Sequence, residues 1–270
     1  MRPLLQLSNA TITQCTGRSQ VSQIPVVRNW RDEEPTVGHD NAIIWTLFRS
    51  RPEDQSDDSE TNCLRRIAGF VKHAVQGRKN TNYHHHDKIE QVYCILKGTS
   101  EVLIGDKKHP VQAGDAVYLP PVLPHQNFND GTDDWVELLI LSCPVESFEG
   151  EPAIRSWRDA RPASDEGGIL HWPLFQEIEE GGPEGGKRLL GLSEVSLVGV
   201  QAGLDWEAGP ESDHEQILYT TSGQGTASFG GDDRSVLEGT AIYVPPGSEC
   251  CLTNDGKSDW LKVLRMSAPV

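Results

Sequence analysis

Short apolar runs alternate with turn residues along most of the chain. The runs that suit β-strands lie at residues 23–30, 42–48, 67–75, 91–96, 100–104, 116–119 and 135–141. Gly, Asn and Asp stand between them, and pairs such as Lys97-Gly98 and Gly105-Asp106 are typical of β-turns. This spacing of strands and turns predicts a sandwich or a barrel built from many short strands, with few long helices.

Three polar stretches interrupt the strand pattern. Residues 50–60 are highly charged and poor in apolar groups, so we expect a surface loop there. Residues 181–186 contain so much Gly and Pro that neither a helix nor a strand would tolerate them, which predicts a second exposed loop. Residues 147–168 form a softer region that we interpret as a connection between two domains.

The second half of the chain repeats the first half when it is shifted by 125 residues. Glu90-Gln91 then falls on Glu215-Gln216, and the register needs no insertion up to the end of the chain. The other coincident features are Gly98 with Gly223, Gly105 with Gly230, Gly114 with Gly239, and Tyr118-x-Pro120-Pro121 with Tyr243-x-Pro245-Pro246. Turns at matching places predict two β-domains of one architecture.

The repeat and the polar stretches together divide the chain into four segments. We predict an N-terminal extension at residues 1–35, a first β-domain at 36–147, a linker at 148–165 and a second β-domain at 166–270. A chain of 270 residues can bury a full core in each of two such domains without disulfide bonds.

Composition narrows the range of partners and compartments. The formal net charge of −16 and the pI near 4.9 disfavour nucleic acid and anionic membranes as partners. The six cysteines show no C-x-x-C spacing, which predicts reduced thiols in a cytoplasmic protein. We expect no signal peptide, because the N-terminal residues lack a sustained apolar segment, and no run approaches the length of a membrane span.

Three consecutive histidines, His84, His85 and His86, are the first candidate for chemistry, and His125 follows some forty residues later. Imidazole is a good ligand for transition metals, and a mononuclear site generally needs three or four protein ligands. Side chains alternate along a β-strand, so His84 and His86 are expected on one face and His85 on the other. The pattern therefore predicts a metal site formed by His84, His86 and His125.

A further metal ligand is a choice between Glu90 and Gln91. As neighbours on an extended strand, the two side chains should face opposite sides, so at most one of them points inward. Counting back from the turn at Gly98 places Gln91 on the same face as Tyr93, and Glu90 on the opposite face. Strand geometry by itself leaves open which of these faces is the inner one.

The first half of the chain resembles the cupin superfamily, whose two motifs read G-x5-H-x-H-x3,4-E-x6-G and G-x5-P-x-G-x2-H-x3-N. Here His84-x-His86 is followed by four residues, Gln91, six residues and Gly98, with Gln where the family most often has Glu. The alternative count runs three residues to Glu90 and leaves seven before Gly98.

The second cupin motif is also present, with one departure. Gly114 is followed by five residues and Pro120, then Val122 stands in place of Gly, and His125 and Asn129 complete it. Together with the repeat, this resemblance implies an all-β bicupin, that is, two tandem double-stranded β-helix (jelly-roll) barrels. It also implies that His84, His86 and His125 bind a metal ion, with Gln91 as the fourth ligand and Glu90 as the alternative to Gln91.

The second half keeps the scaffold and loses the histidines. Gly209, Glu211 and Cys250 stand where His84, His86 and His125 stand in the first half, and Gln216 matches Gln91. We expect this degenerate domain to be structural, a lid or a dimer partner. The alternative is a soft-metal site formed by Glu211 with His214, Glu215 or Cys250.

The resemblance implies a metal-dependent enzyme that acts on a small organic or sugar acid, with one divalent Fe, Mn, Ni or Zn ion per chain. We favour a dioxygenase, with Tyr93 as the catalytic group that transfers a proton or orients the substrate. The alternatives are a lyase, isomerase or decarboxylase that uses the same site, and a ligand-binding bicupin without catalysis. A small anionic substrate is the expected partner, and a homodimer is the expected assembly.

Phosphoryl transfer and serine hydrolysis are not supported, because the sequence has no P-loop and no nucleophile elbow.

Overall fold

A computed structural model describes most of the chain. The described residues are 25–51, 59–146, 150–165, 167–176, 189–209, 211–257 and 259–270. Most of the predicted N-terminal extension, the centre of the charged loop at 50–60, the start of the linker at 148–149 and the Gly-rich loop at 181–186 lie outside them.

The described residues are almost entirely β-structure, as the alternation of apolar runs and turns predicts. Their only helical turn is a 3-10 turn at Trp30–Asp32. No helix in the described part of the chain is long and apolar enough to cross a membrane.

The first barrel consists of an eight-stranded sheet packed on a four-stranded sheet. The large sheet contains β2 (Thr36–Gly38), β3 (Ala42–Ser50), β4 (Asn62–Leu64), β5 (Gly69–Val75), β7 (Ile89–Lys97), β10 (Asp115–Leu119), β12 (Val136–Pro144) and β13 (Ala153–Ser156). The small sheet contains β6 (Lys79–Asn80), β8 (Thr99–Ile104), β9 (Lys107–Gln112) and β11 (His125–Asn129).

The second barrel repeats this plan with a seven-stranded and a four-stranded sheet. The large sheet contains β1 (Val26–Asn29), β14 (Ala163–Ser164), β15 (Leu170–Gln176), β16 (Glu194–Val200), β18 (His214–Ser222), β21 (Thr240–Val244) and β23 (Leu261–Pro269). The small sheet contains β17 (Asp205–Ala208), β19 (Gln224–Phe229), β20 (Asp232–Leu237) and β22 (Cys250–Thr253). The predicted fold of two tandem double-stranded β-helix barrels is confirmed.

The first strand of the chain belongs to the second barrel. Strand β1 pairs with β21, whereas β13, which follows the first barrel in sequence, pairs with β10 of that barrel. The strand that precedes the first barrel in sequence, β1, therefore forms one edge of the large sheet of the second barrel. The strand that follows the first barrel, β13, forms one edge of that barrel's own large sheet. The segment boundaries at 35, 147 and 165 stay predictions, since β1 and β13 lie in the predicted extension and linker and yet extend the two large sheets.

Two buried glutamates join the barrels reciprocally. Glu90 accepts hydrogen bonds from the backbone N–H groups of residues 190–192 in the second half, at 2.7 to 2.8 Å. Glu215, its counterpart in the repeat, accepts from the N–H groups of residues 65–67 in the first half, at 2.6 to 2.9 Å. Both glutamates are fully buried. The two donor segments are themselves 125 residues apart, so the contacts obey the internal symmetry.

Three apolar cores hold the fold together. One fills the space between the two large sheets, and the other two fill the interiors of the barrels. Phe48 and Phe70 of the first barrel pack against Tyr243 and Tyr219 of the second, with ring centroids 6.2 and 6.0 Å apart. This packing orients the outer face of each large sheet toward the other barrel and the inner face toward its own interior.

Candidate metal centre

Three histidines converge inside the first barrel. His84, His86 and His125 each offer a ring nitrogen, and these nitrogens lie within 4.8 Å of one another. His125 opens β11, and His84 forms an isolated antiparallel bridge with it through two backbone hydrogen bonds of 3.2 and 2.8 Å. The residues around His84–His86 form an extended segment with this single bridge, where the sequence predicts a strand.

Backbone carbonyls orient two of the rings. Nδ1 of His84 lies 3.1 Å from the carbonyl oxygen of Asn82, and Nδ1 of His125 lies 2.9 Å from that of Leu123. These contacts hold a proton on Nδ1 and leave Nε2 as the free lone pair. Nε2 of His86 and of His125 are buried and have no hydrogen-bond partner among the described residues. Such orphaned acceptors fit a bound divalent transition-metal ion.

The imidazoles have depressed pKa values. Burial, reinforced by the neighbouring histidines, lowers the pKa of His86 to about 4. Burial is also the main reason why the pKa of His125 falls to about 4, and it lowers the pKa of His84. The rings are therefore neutral at pH 7, the form that binds metal.

The middle histidine of the run points away from this cluster. His85 is about half exposed, and its Nε2 lies 3.2 Å from Asp87. Its orientation agrees with the alternation expected of an extended chain.

Gln91 and Glu90 have opposite orientations. Gln91 lines the same cavity as His84, donates from Nε2 to Ser142 Oγ at 3.0 Å and accepts at Oε1 from the Tyr93 hydroxyl at 3.3 Å. Glu90 points to the barrel interface, where it also accepts from the Tyr118 hydroxyl at 3.0 Å. The structure thus places Gln91 on the histidine side, whereas the Glu90 carboxylate is fully engaged elsewhere. Metal ligation by Gln91 stays a prediction.

Tyr93 lies where the strand pattern places it, on the inner face of β7. Its ring centroid is 6.0 Å from that of His125, and it is almost fully buried. Burial raises the pKa of its hydroxyl, so at neutral pH the group carries its proton. A catalytic role for Tyr93 stays a prediction.

The cavity beside the histidines has a volume of 220 Å³ and includes polar residues that the sequence reading missed. His39 stacks on His84 with ring centroids 4.8 Å apart, and His73 lies 5.6 Å from His39. Asn127 also lines the cavity. A signal for Asn127 was present, because it lies two positions after His125 and therefore on the same face of the strand.

In the second barrel an arginine occupies the corresponding place. Arg265, which matches Ile140 in the repeat, bonds to Glu211, lies 3.2 Å from Glu194 and donates to Gln216 at 3.0 Å. A guanidinium thus supplies the positive charge that a metal ion would supply in the first barrel. This arrangement uses Glu211, a residue of the soft-metal alternative, and Gln216, the counterpart of Gln91.

Comparison with known proteins supports the resemblance of the first barrel to cupins. Residues 71–141 match the model of the cupin domain. This segment of the first barrel is therefore a cupin domain. An uncharacterised protein of Methanocaldococcus jannaschii is 35% identical over 71 residues, which are 26% of this chain and 54% of that protein. The match therefore spans about half the length of that relative.

Several solved structures are similar to both barrels at low sequence identity. A glyoxylate-induced protein from Pseudomonas aeruginosa superposes with a TM-score of 0.72 at 14% identity, covering 100% of this chain and 93% of its own. A bacterial pirin from Escherichia coli in complex with nickel(II) gives 0.66 at 13%, covering 91% and 99%. A variant of oxalate decarboxylase from Bacillus subtilis gives 0.65 at 16%, covering 92% and 78%. These likenesses show that the chain shares its two-barrel fold with them.

Proposed function

We propose that this cupin is a metal-dependent enzyme that acts on a small organic acid inside the first barrel. The observation that carries the proposal is the convergence of three neutral imidazoles, two of them with buried and unpartnered Nε2 atoms, beside a cavity of 220 Å³. A divalent ion held there by neutral ligands would keep its charge and would attract and polarise the oxygens of an anionic substrate.

The chain's own residues would position the substrate next to that ion. The Tyr93 hydroxyl is protonated and lies within the same cavity, so it can donate a hydrogen bond to a substrate oxygen that replaces Gln91 Oε1 as its acceptor. Ser142 holds the Gln91 amide at 3.0 Å and so fixes its orientation. Aliphatic side chains complete the cavity.

Within this function we favour a dioxygenase, and the alternative is a lyase, isomerase or decarboxylase. Structures of this fold include a nickel(II) complex and an oxalate decarboxylase, and a fold by itself does not select a reaction. The identity of the bound metal separates the two branches. A small anionic substrate, a cytoplasmic location and a homodimer belong to the same proposal.

The test is elemental analysis of protein purified without added metal, followed by oxygen-uptake and turnover assays with a panel of small organic acids. We expect about one metal ion per chain, and we expect His84→Ala with His86→Ala to lose it. His85→Ala is the matched control and should retain the metal. Iron with oxygen uptake would select the dioxygenase, and turnover without oxygen uptake would select the alternative. A metal-free wild-type protein, or a metal-loaded one that turns over no acid, would contradict an enzyme.

A further inference from the structure

Asn127 presents an amide inside the first barrel that the described residues leave without a partner. Its side chain is only 4% exposed, and neither Nδ2 nor Oδ1 has a hydrogen-bond partner in the described part of the chain. A buried polar group without a partner costs about 1–3 kcal/mol. Because Asn127 follows His125 by two positions on β11, its side chain points to the same interior as the candidate metal ligand.

A structural role of the kind that Asn129 has does not explain Asn127. Asn129 donates from Nδ2 to the carbonyls of Val75 and Asp134 at 2.9 and 2.8 Å, and so ties a turn to a strand. Asn254 repeats both contacts in the second barrel. The side chain of Asn127 makes no such contact with the described residues.

The internal repeat shows that the barrel itself does not need polar side chains at these positions. Leu252 stands where Asn127 stands, and Val198 stands where His73 stands. Both are buried in the apolar core of the second barrel, which also lacks the ligand histidines. The polar pair therefore occurs only in the barrel that has the histidine cluster.

The cavity that Asn127 and His73 line carries no charged side chain of its own. Among its described lining residues there is no Lys, Arg, Asp or Glu, and the aliphatic part of the wall consists of Ile44, Val71, Val75, Leu138 and Ile140. Lys72 and Glu137 lie on neighbouring strands but point to the opposite face, where they pair at 2.8 Å. A metal ion would supply the charge that balances one carboxylate, whereas a second carboxylate deep in the cavity would be unpaired and costly.

We propose that Asn127 and His73 form a second binding point for the uncharged end of the substrate, a hydroxyl, carbonyl or amide group. The substrate class is then a small monocarboxylate with a neutral polar group at the far end, and not a dicarboxylate. This proposal rests on the proposed function, because the carboxylate lies at the candidate metal centre.

The experiment is calorimetric titration of the metal-loaded protein with three matched sets of acids. These are glycolate, acetate and oxalate; 3-hydroxypropanoate, propanoate and malonate; and 4-hydroxybutanoate, butanoate and succinate. We expect at least one hydroxy acid to bind about fivefold more tightly than its parent acid and its diacid, as one added hydrogen bond gives.

The decisive variant is Asn127→Leu, which copies the residue of the second barrel and is therefore expected to fold. It should reduce the preference for the hydroxy acid to less than about twofold, which is the loss of that one hydrogen bond, and leave the metal content and the affinity for the parent acid unchanged. Gln126→Leu, the same change on the neighbouring residue, is the control and should keep the preference.

The two proposals fail in different ways. A metal-loaded wild type that shows no preference, that prefers a diacid, or that keeps its preference after Asn127→Leu overturns the second binding point and leaves the proposed function standing. A wild type that holds no metal overturns both.

Discussion

At the residue scale, the candidate metal centre is defined by three neutral imidazoles. An ordinary histidine has a pKa of about 6.5 and competes with metal for its lone pair near neutral pH. Burial lowers the pKa values of His86 and His125 to about 4 and also lowers that of His84. Protons therefore compete with the metal only under more acidic conditions.

This shift predicts how many protons the protein releases when it binds metal. Three ordinary imidazoles at pH 6.5 would be half protonated and would release about 1.5 protons in total. We expect a release well below that value at pH 6.5, because His86 and His125 contribute almost none until the pH approaches about 4 and His84 contributes less than an ordinary imidazole. Calorimetric titration of the metal-free protein with Zn²⁺ in buffers of different ionisation enthalpy measures the release directly. A value near that of ordinary imidazoles would show that the rings are not shielded by burial.

Gln91 and Glu90 are neighbours in sequence, but the amide of one and the carboxylate of the other have different surroundings. Gln91 points into the cavity, whereas Glu90 points to the other barrel. The sequence reading left Glu90 and Gln91 as alternatives for the same role. Strand alternation places them on opposite faces of β7, and only the tertiary structure shows that the face with Gln91 is the inner one.

At the scale of elements, strands and loops of one half complete the other half. Strand β1 extends the sheet of the second barrel, and each buried glutamate accepts three N–H groups from the opposite half. Burial raises the pKa of Glu90, and its hydrogen-bond donors act against that rise. Glu90 and Glu215 therefore belong to the contact between barrels.

Replacing Glu90 tests this assignment. Glu90→Gln puts an amide N–H group against backbone N–H donors, so we expect a loss of about 1–3 kcal/mol in the free energy of unfolding. The metal content should not change, and Glu215→Gln should destabilise the protein to a similar extent. Urea denaturation and elemental analysis measure the two effects. Glu101→Gln on the exposed surface is the control, and loss of metal in Glu90→Gln would instead identify Glu90 as a ligand.

At the scale of the whole molecule, the two barrels share a scaffold and differ in the source of positive charge. The first has a histidine cluster suited to a metal ion, and the second has Arg265 in contact with Glu211 and Glu194. Both arrangements bring polar groups into a barrel that is otherwise apolar. The candidate metal site therefore lies in the first barrel, although the internal repeat gives both barrels the same scaffold.

Arg265→Met tests the structural role of this guanidinium. It leaves Glu211 and Glu194 without their partner in a mostly buried setting, so we expect a loss of about 1–3 kcal/mol in stability. The metal content of the first barrel should stay the same. Urea denaturation followed by tryptophan fluorescence measures the loss, and Arg234→Met, which removes an exposed pair with Asp232, is the control. Equal stability of the two variants would contradict the role.

The sequence by itself determined the strands, the two-barrel repeat and the histidines that converge. The strands and the shared face of His84 and His86 follow from local physics, because a period of two residues fixes which side chains share a face and glycines fix the turns. The place of His125 beside them is what the spacing of the cupin motifs implies. The separation of His84 and His86 from His85 needs nothing more than this alternation.

Only the tertiary structure decided which face is inner and which strand completes which barrel. The Glu90 carboxylate accepts hydrogen bonds from a segment about 100 residues away. Strand β1 precedes the first barrel in sequence but pairs with β21 of the second barrel. The same holds for Asn127, whose missing partners become visible only when the interior is closed around it. Contacts between residues distant in sequence set these features, and no local pattern encodes them.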